Sequence, residues 1–363
     1  MLAAETRMDL PMTTRVASDI EDGLRLLLAK GRAAVPPDSA GIDLVGDVVG
    51  GYEVTRRIAD GGMSTVYLAR SVATGEMVAI KAEKTTGPGD PTGRSRFLRE
   101  IGIHSKITSA RVPRFYAAGT HRGIRFIVMD YIAGRDLATI LSHHAARGRR
   151  LPIPDLLRIA RSAFEAIQDL ACLEVVHRDI KPANLLVSDD GTVRLCDLGI
   201  ARYVRDDAFT DDLYTLGTVG YMSPEQWNKQ PIDQRSDLYS MGLVLLEMAG
   251  GFNVEFRSEN RLAINPDFAI SSRVLSAIFE GHPPELEALV RKCLHNDRRL
   301  RYLSAQSVVD DLSAIEARGE NGLRDHHSRW LTALRRTATP SHLPEVIICV
   351  LLAALMIAYA ILH

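Results

Sequence analysis

The chain has 363 residues, enough to bury a sizeable core in one large domain or two ordinary ones with flanking segments. Lys and Arg total 44 against 45 Asp and Glu, so no net field draws it toward nucleic acid or acidic partners. The four cysteines, Cys172, Cys196, Cys293 and Cys349, are far apart and form no CxxC pair, which argues against a zinc knuckle or a disulfide framework and fits a reducing cytoplasm.

Residues 1–50 read as a separate extension. Met1 to Leu10 carries Glu5, Arg7 and Asp9 and lacks the apolar core of a secretory signal. Val16, Ile20, Leu24 and Leu27 recur at helical spacing before Gly31 and the Pro36-Pro37 break, which predicts one amphipathic helix and a linker. That helix either docks on the following domain or serves as a dimerisation or partner-binding helix. From Gly51 the pattern becomes strand-like: Tyr52 to Ile58, Ser64 to Ala69 and Met77 to Ala82, separated by glycine-containing turns. After Arg135 helices dominate, for example Ile153 to Leu173 with Leu157, Ala160, Phe164 and Ile167 on one face. Residues 318–344 are polar, with Gly319, Gly322, Pro340 and Pro344, and read as a tether.

Val346 to Leu362 contains no charge, Gly or Pro. As a helix this run spans about 26 Å at ~1.5 Å per residue, within the range that crosses a bilayer. Arg329, Arg335 and Arg336 precede it, so a single pass at 345–363 in the cell membrane would keep the preceding domain cytoplasmic. The alternative is a buried core helix of a soluble protein.

Chemistry concentrates in His177-Arg178-Asp179-Ile180-Lys181-Pro182-Ala183-Asn184, with Asp197-Leu198-Gly199 twelve residues further on. Phosphoryl transfer needs a proton acceptor, charge neutralisation and oxygen ligands for Mg²⁺ (with Mn²⁺ as substitute), and Asp179, Lys181, Asn184 and Asp197 supply these groups. Upstream, Ile58-Ala59-Asp60-Gly61-Gly62-Met63-Ser64-Thr65-Val66 joins two strands through glycines whose backbone N–H groups can approach phosphate oxygens. Lys81, on the strand Val78-Ala79-Ile80-Lys81, can reach the phosphates of ATP, and Glu100 in a helical stretch can pair with it.

On these motifs residues 51–317 resemble a eukaryotic-type serine/threonine protein kinase domain of the bacterial branch, with Gly61-Gly62-Met63-Ser64 as the loop closest to that branch. The resemblance implies an α+β, two-lobed protein kinase fold: a β-rich small lobe (51–128), a hinge (129–134) and a helical large lobe (135–317). It implies Met129 as gatekeeper, unless it is only core filler, with backbone groups of Asp130 and Ile132 binding adenine between Val66, Ala79 and Leu186. Lys181 with Thr218, in Gly217 to Glu225, resembles the class that phosphorylates Ser and Thr of proteins. Glu225 and Arg301 resemble a buried ion pair, and Asp237 an anchor for the catalytic-loop backbone. Arg178 resembles the arginine that orders a phosphorylated activation segment, with Thr210 and Thr215 as acceptor candidates. Asp206, Asp207, Asp211 and Asp212 either stand in for phosphate near Arg178 or form a solvated loop.

Two departures stand out. Ala59 occupies the usual place of the first loop glycine, and Gly250 to Pro284 lacks the usual Pro-Phe turn, so substrate docking is open. Cys196, next to Asp197, is either a reactive thiol at the nucleotide pocket or a small buried hydrophobe. The expected activity is ATP-dependent phosphorylation of protein Ser and Thr, including autophosphorylation; the competing expectation is a catalytically weak pseudokinase scaffold. A homodimer through the kinase domain or the N-terminal helix is a further expectation.

Overall fold

The computed structural model describes residues 43–84, 91–199, 201–203, 219–251 and 272–318. The chain divides into two units, Met1–Val309 and Asp310–His363, and of the second unit residues 310–318 are described and are helical.

The N-terminal half of the first unit is an antiparallel sheet in the order β1-β2-β3-β4-β6-β5, built from β1 (Val48–Val49), β2 (Tyr52–Asp60), β3 (Ser64–Ser71), β4 (Met77–Glu83), β5 (Phe115–His121) and β6 (Ile124–Asp130). Its strands carry a period-2 pattern, and the two faces have different work. Val78, Ile80 and Ala82 of β4 and Ile124, Phe126 and Val128 of β6 join Val54 and Tyr67 in one apolar cluster. The intervening Ile127 packs on the other face against Phe97 and Ile101 of α1 (Pro91–His104), with Met129 beside them. Since β4 pairs with β6 through Ala79↔Met129 and Lys81↔Ile127, Ala79 and Lys81 fall on the α1 face.

The sheet begins earlier than the linker expected up to residue 50. Val48 and Val49 pair with Glu53 and Tyr52, and Leu44 and Val49 are buried in the core cluster. Two apolar residues between Gly46 and Gly50, both at positive φ, are too short a run to show periodicity, so the pattern alone hid this strand.

Residues 131–133 lead from the sheet to β7 (Gly134–Asp136). Gly134 has φ 157°, and a Cβ there would overlap the Val187 carbonyl oxygen, so only glycine fits. The large lobe follows with α2 (Leu137–Ala145), capped by Asp136 accepting from the Thr139 N–H, and α3 (Ile153–Cys172). The expected face of α3 is buried: Leu157, Ala160, Phe164 and Ile167 all lie inside. Next come β8 (Val175–Val176), β9 (Leu185–Ser188), β10 (Val193–Leu195) and β11 (Arg202–Tyr203). β10, β9 and β7 form one small sheet, and β11 pairs with β8. The remaining helices of this lobe include α4 (Pro224–Trp227), α5 (Gln234–Gly250), α6 (Ser272–Ile278) and α7 (Pro284–Cys293). α5 is buried all round from Ser236 to Ala249 and packs against α3 and α7, which makes it the lobe's axis.

Several expectations fall on residues outside those described: the helix over 16–27, the tether beyond 318, Thr210, Thr215, Thr218 and the run 346–362. Among the described residues no helix is long and apolar enough to cross a membrane.

Candidate active site

Between the sheet and the large lobe lies a cleft of about 630 Å³. Of the residues expected around a nucleotide, Ile58, Ala59, Asp60, Gly61, Ser64, Val66, Ala79, Lys81, Glu100, Met129, Asp130, Ile132 and Leu186 line it, together with Lys181, Asn184 and Asp197. Val66, Ala79 and Leu186 supply apolar walls, as a ring-binding slot requires. Gly62, Met63 and Thr65 do not line it. Met63 is exposed at the hairpin tip, and Thr65 is buried with its hydroxyl donating to Asp60 Oδ1.

The Gly61-Gly62-Met63 turn is closed on itself. Gly61 N–H donates to the Ser64 carbonyl at 2.9 Å, while Lys84 Nζ reaches the Gly61 carbonyl at 2.7 Å and Asp60 Oδ1 at 2.6 Å. The Lys84 ammonium beside Asp60, with the Thr65 hydroxyl, holds that carboxyl below its ordinary value. Neither glycine has a positive φ. At Gly61 the missing side chain matters, because a Cβ would come within 3.3 Å of Ser64 O, whereas Gly62 faces open space.

Lys81 is the hub of the polar network. Its Nζ lies 2.7 Å from Glu100 Oε1 and 2.7 Å from Asp197 Oδ1, so strand β4, helix α1 and the segment after β10 meet at one ammonium. Burial works against the charge, but the Asp197 and Glu100 carboxylates outweigh it and leave the Lys81 pKa raised. The same ammonium, ahead of the opposing effect of burial, holds the Asp197 carboxyl well below the usual carboxylate range. Asp197 sits at φ 66°, a left-handed conformation that costs a non-glycine residue energy and that the surrounding contacts must hold. Gly199 leaves little room close by: a Cβ there would meet Asp197 Oδ1 at 3.1 Å and Lys81 Nζ at 3.3 Å.

The β9–β10 hairpin brings the two expected metal ligands together. Leu185 pairs with Leu195, so the residues flanking that pair are neighbours, and Cys196 N–H donates to the Asn184 carbonyl at 2.9 Å. Asn184 Nδ2 donates to Asp179 O at 2.7 Å and to Asp179 Oδ2 at 3.0 Å. That leaves the amide oxygen of Asn184 and the partly exposed carboxylate of Asp197 as hard oxygen donors. One carboxylate and one amide oxygen suit Mg²⁺, which usually completes its shell with water and phosphate oxygens. Among the described residues no group of three or more His, Cys, Asp or Glu forms a closed cage.

Asp179 is gripped from several sides. Its Oδ2 lies 2.8 Å from Lys181 Nζ. His177 Nε2 lies 3.0 Å from the Cys196 carbonyl, which can only accept, so the proton is on Nε2 and Nδ1 accepts from Asp179 N–H at 3.3 Å. Asp237, almost fully buried, accepts from His177 N–H at 2.8 Å and Arg178 N–H at 2.9 Å. Burial pushes the Asp237 carboxyl up despite these donors and the nearby His177 and Arg178. Arg178 has φ 72°, a second strained position held by contacts.

Further from the cleft, Arg301 and Glu225 form a bidentate pair at 2.7 and 2.8 Å, with side chains 0% and 3% exposed. Ser236 Oγ adds a bond to Glu225 at 2.6 Å. The Cys196 thiol is partly buried at the cleft wall, its Sγ donates to the Asn184 carbonyl at 3.2 Å, and desolvation with the neighbouring Asp197 carboxylate pushes its pKa up to about 12, which argues against a reactive thiolate.

The cleft also holds residues that the motifs did not suggest. His104, at the end of α1, is 4% exposed, with Nε2 donating to the Pro113 carbonyl at 2.6 Å and Nδ1 buried without a hydrogen-bond partner. Burial lowers its pKa. Nothing local in the sequence marks His104 as a lining residue. Asp136, by contrast, carried a readable signal, an N-cap aspartate three residues before Thr139.

Residues 52–312 match the family model described as "Protein kinase domain". A probable serine/threonine-protein kinase of Clostridium acetobutylicum is 29% identical over 269 residues, 73% of this chain and 40% of that protein. The serine/threonine-protein kinase PknL of Mycobacterium tuberculosis is 32% identical over 266 residues, 73% of this chain and 65% of that protein. The chain thus spans well under half of the Clostridium relative. The crystal structure of the Mycobacterium tuberculosis PknI kinase domain superposes with a TM-score of 0.60 at 23% identity, covering 76% of this chain and 100% of that one. At this identity it speaks to the fold, and it agrees with the two lobes described above. With the family model matched across most of its length, the chain belongs to the protein kinase domain family.

Proposed function

We propose that this protein transfers the γ-phosphoryl of ATP to serine and threonine hydroxyls of proteins, its own among them. The observation that carries the reading is Lys81 Nζ at 2.7 Å from both Glu100 and Asp197, residues far apart in sequence that meet in the cleft. A scaffold that only binds partners has no need of a charged lysine, its side chain 13% exposed, held between two carboxylates. The names of the relatives, serine/threonine-protein kinases, point the same way.

In this reading Lys81 binds phosphate oxygens, and Glu100 keeps it in place when a nucleotide draws on it. Asn184 and Asp197 would hold Mg²⁺, which when bound neutralises charge on the phosphates. Asp179 orients the acceptor hydroxyl and takes up its proton, and Lys181, already beside Asp179, neutralises charge on the moving phosphoryl. Ala59, in place of the usual loop glycine, puts only a methyl at the cleft edge. The decisive test is phosphorylation of generic protein substrates by the purified full chain with ATP and Mg²⁺. Asp179→Asn should lower kcat by about 10²–10⁴-fold. Undiminished turnover in that variant would refute the role assigned to Asp179, and no turnover in the wild type would favour the scaffold.

The same proposal places Arg178 as the reader of a phosphorylated Thr210 or Thr215, Thr218 beside the acceptor, and 346–362 as a membrane anchor behind the basic flank Arg329, Arg335 and Arg336. Phosphosite mapping and membrane fractionation with and without residues 345–363 test these parts.

A further inference from the structure

The peptide unit between Arg178 and Asp179 is held at both of its polar atoms. Its N–H, on Asp179, donates to His177 Nδ1 at 3.3 Å. Its carbonyl, on Arg178, accepts from Gln226 Nε2 at 2.9 Å. Gln226 is 4% exposed and belongs to α4, in the segment that follows Val219–Tyr221. Its other amide atom is also engaged, because Oε1 accepts from Ser223 N–H at 3.1 Å, while its backbone N–H donates to Ser223 Oγ at 3.3 Å. The side chain thus has one orientation, fixed by a donor on one side and an acceptor on the other. A capping box needs only the Oε1 half of that amide, so a glutamate would serve the helix end equally well. The Nε2 half reaches out of the turn to the catalytic loop.

We infer that Gln226 is a positioning residue for the phosphoryl transfer: its Nε2 sets the plane of the peptide that carries Asp179 and ties the α4 segment to the catalytic loop. This rests on the reading of Asp179 as the group that handles the acceptor's proton. Arg178 sits in a strained left-handed conformation, so releasing one hold on its carbonyl lets that peptide rotate and swings the Asp179 carboxylate. Gln226 itself hydrogen-bonds to Arg178, Ser223 and Lys229, none of which lines the nucleotide cleft.

The test uses the full chain, with kcat and KM for ATP measured on a generic protein substrate, nucleotide affinity measured with an ATP analogue, and thermal unfolding measured in parallel. Gln226→Met keeps the volume and loses both hydrogen-bonding atoms. Gln226→Glu keeps the acceptor for Ser223 N–H but donates to the Arg178 carbonyl only as the protonated acid. Misplacement of a catalytic group by about 1 Å costs ~10²-fold, so a partial swing in Gln226→Met should lower kcat about tenfold, leaving KM for ATP and analogue affinity unchanged. In Gln226→Glu the kcat relative to wild type should rise as the pH is lowered, because the acid form restores the donor.

Wild-type kcat in a folded Gln226→Met overturns the inference, as does a ratio for Gln226→Glu that stays flat with pH. Should Gln226→Met fail to fold, the pH profile of Gln226→Glu decides alone. Absence of turnover in the wild type would instead strike at the kinase reading itself, so the two failures are distinguishable.

Discussion

Gly199→Ala isolates the geometry of the ion network from its chemistry. No charged group is removed, and Gly199 has no positive φ, so alanine is compatible with the backbone. The new methyl would stand 3.1 Å from Asp197 Oδ1, 3.3 Å from Lys81 Nζ and 3.6 Å from Glu100 Oε2, so the first two atoms must yield by a few tenths of an ångström. If a 1 Å error costs ~10²-fold, a displacement of this size costs about 3- to 10-fold in kcat/KM. Stability should move the other way or not at all, because replacing glycine at a compatible position gains about 0.4–1 kcal/mol from the unfolded chain. The assay pairs steady-state phosphorylation kinetics with thermal unfolding of the same preparation. Full activity in Gly199→Ala would refute the reasoning that shifting Asp197 and Lys81 by a few tenths of an ångström costs turnover. A variant that unfolds in parallel with its loss of activity would show instead that Gly199 serves the fold.

Other outcomes follow from groups outside this network. Arg301→Met leaves Glu225 buried without its bidentate partner, which should cost about 3–5 kcal/mol of stability in chemical denaturation; a change under about 1 kcal/mol would refute the importance of the pair. His104 has a folded pKa below its ordinary 6.5 because burial disfavours the charged form, so the unfolded chain binds more protons. Its contribution is then complete above pH 6.5 and is lost as pH falls from there toward the folded pKa. Glu100 and Asp130, which favour protonation, and Lys81, which opposes it, are the charges acting on it. Unfolding midpoints compared between about pH 7.5 and 5 should fall less in His104→Leu than in the wild type, and equal falls would exclude His104 as a contributor. Alkylation followed by mass spectrometry should label exposed Cys172 faster than the partly buried Cys196, whose thiol is pushed up to about 12; equally rapid labelling of Cys196 in the folded chain would contradict that raised pKa.

How far the sequence reached depended on whether a signal was local. Lys81 could be assigned to the working face of β4 from alternation alone, since Val78, Ile80 and Ala82 claim the opposite face. The buried face of α3 followed from helical spacing in the same way. Val48 and Val49 escaped because two residues cannot display a period. Gln226 carried half of its meaning in plain view, as the last residue of Ser223-Pro224-Glu225-Gln226, a capping-box spacing. The other half, its bond to Arg178, spans 48 positions and has no local trace.

The sequence by itself determined the chemistry available: which side chains can carry a proton, a cation or a phosphate, and the short spacings that put Asp179 and Asn184 in one loop. Only the tertiary structure decided that Asp197 joins the expected Lys81–Glu100 pair through a direct ion pair, that the β9–β10 register sets Asn184 beside Cys196, and that His104 lies at the wall of the cleft. The physical reason is that backbone periodicity relates residues a few positions apart, whereas a contact across a hundred positions exists only after strands have chosen their register and helices their packing face.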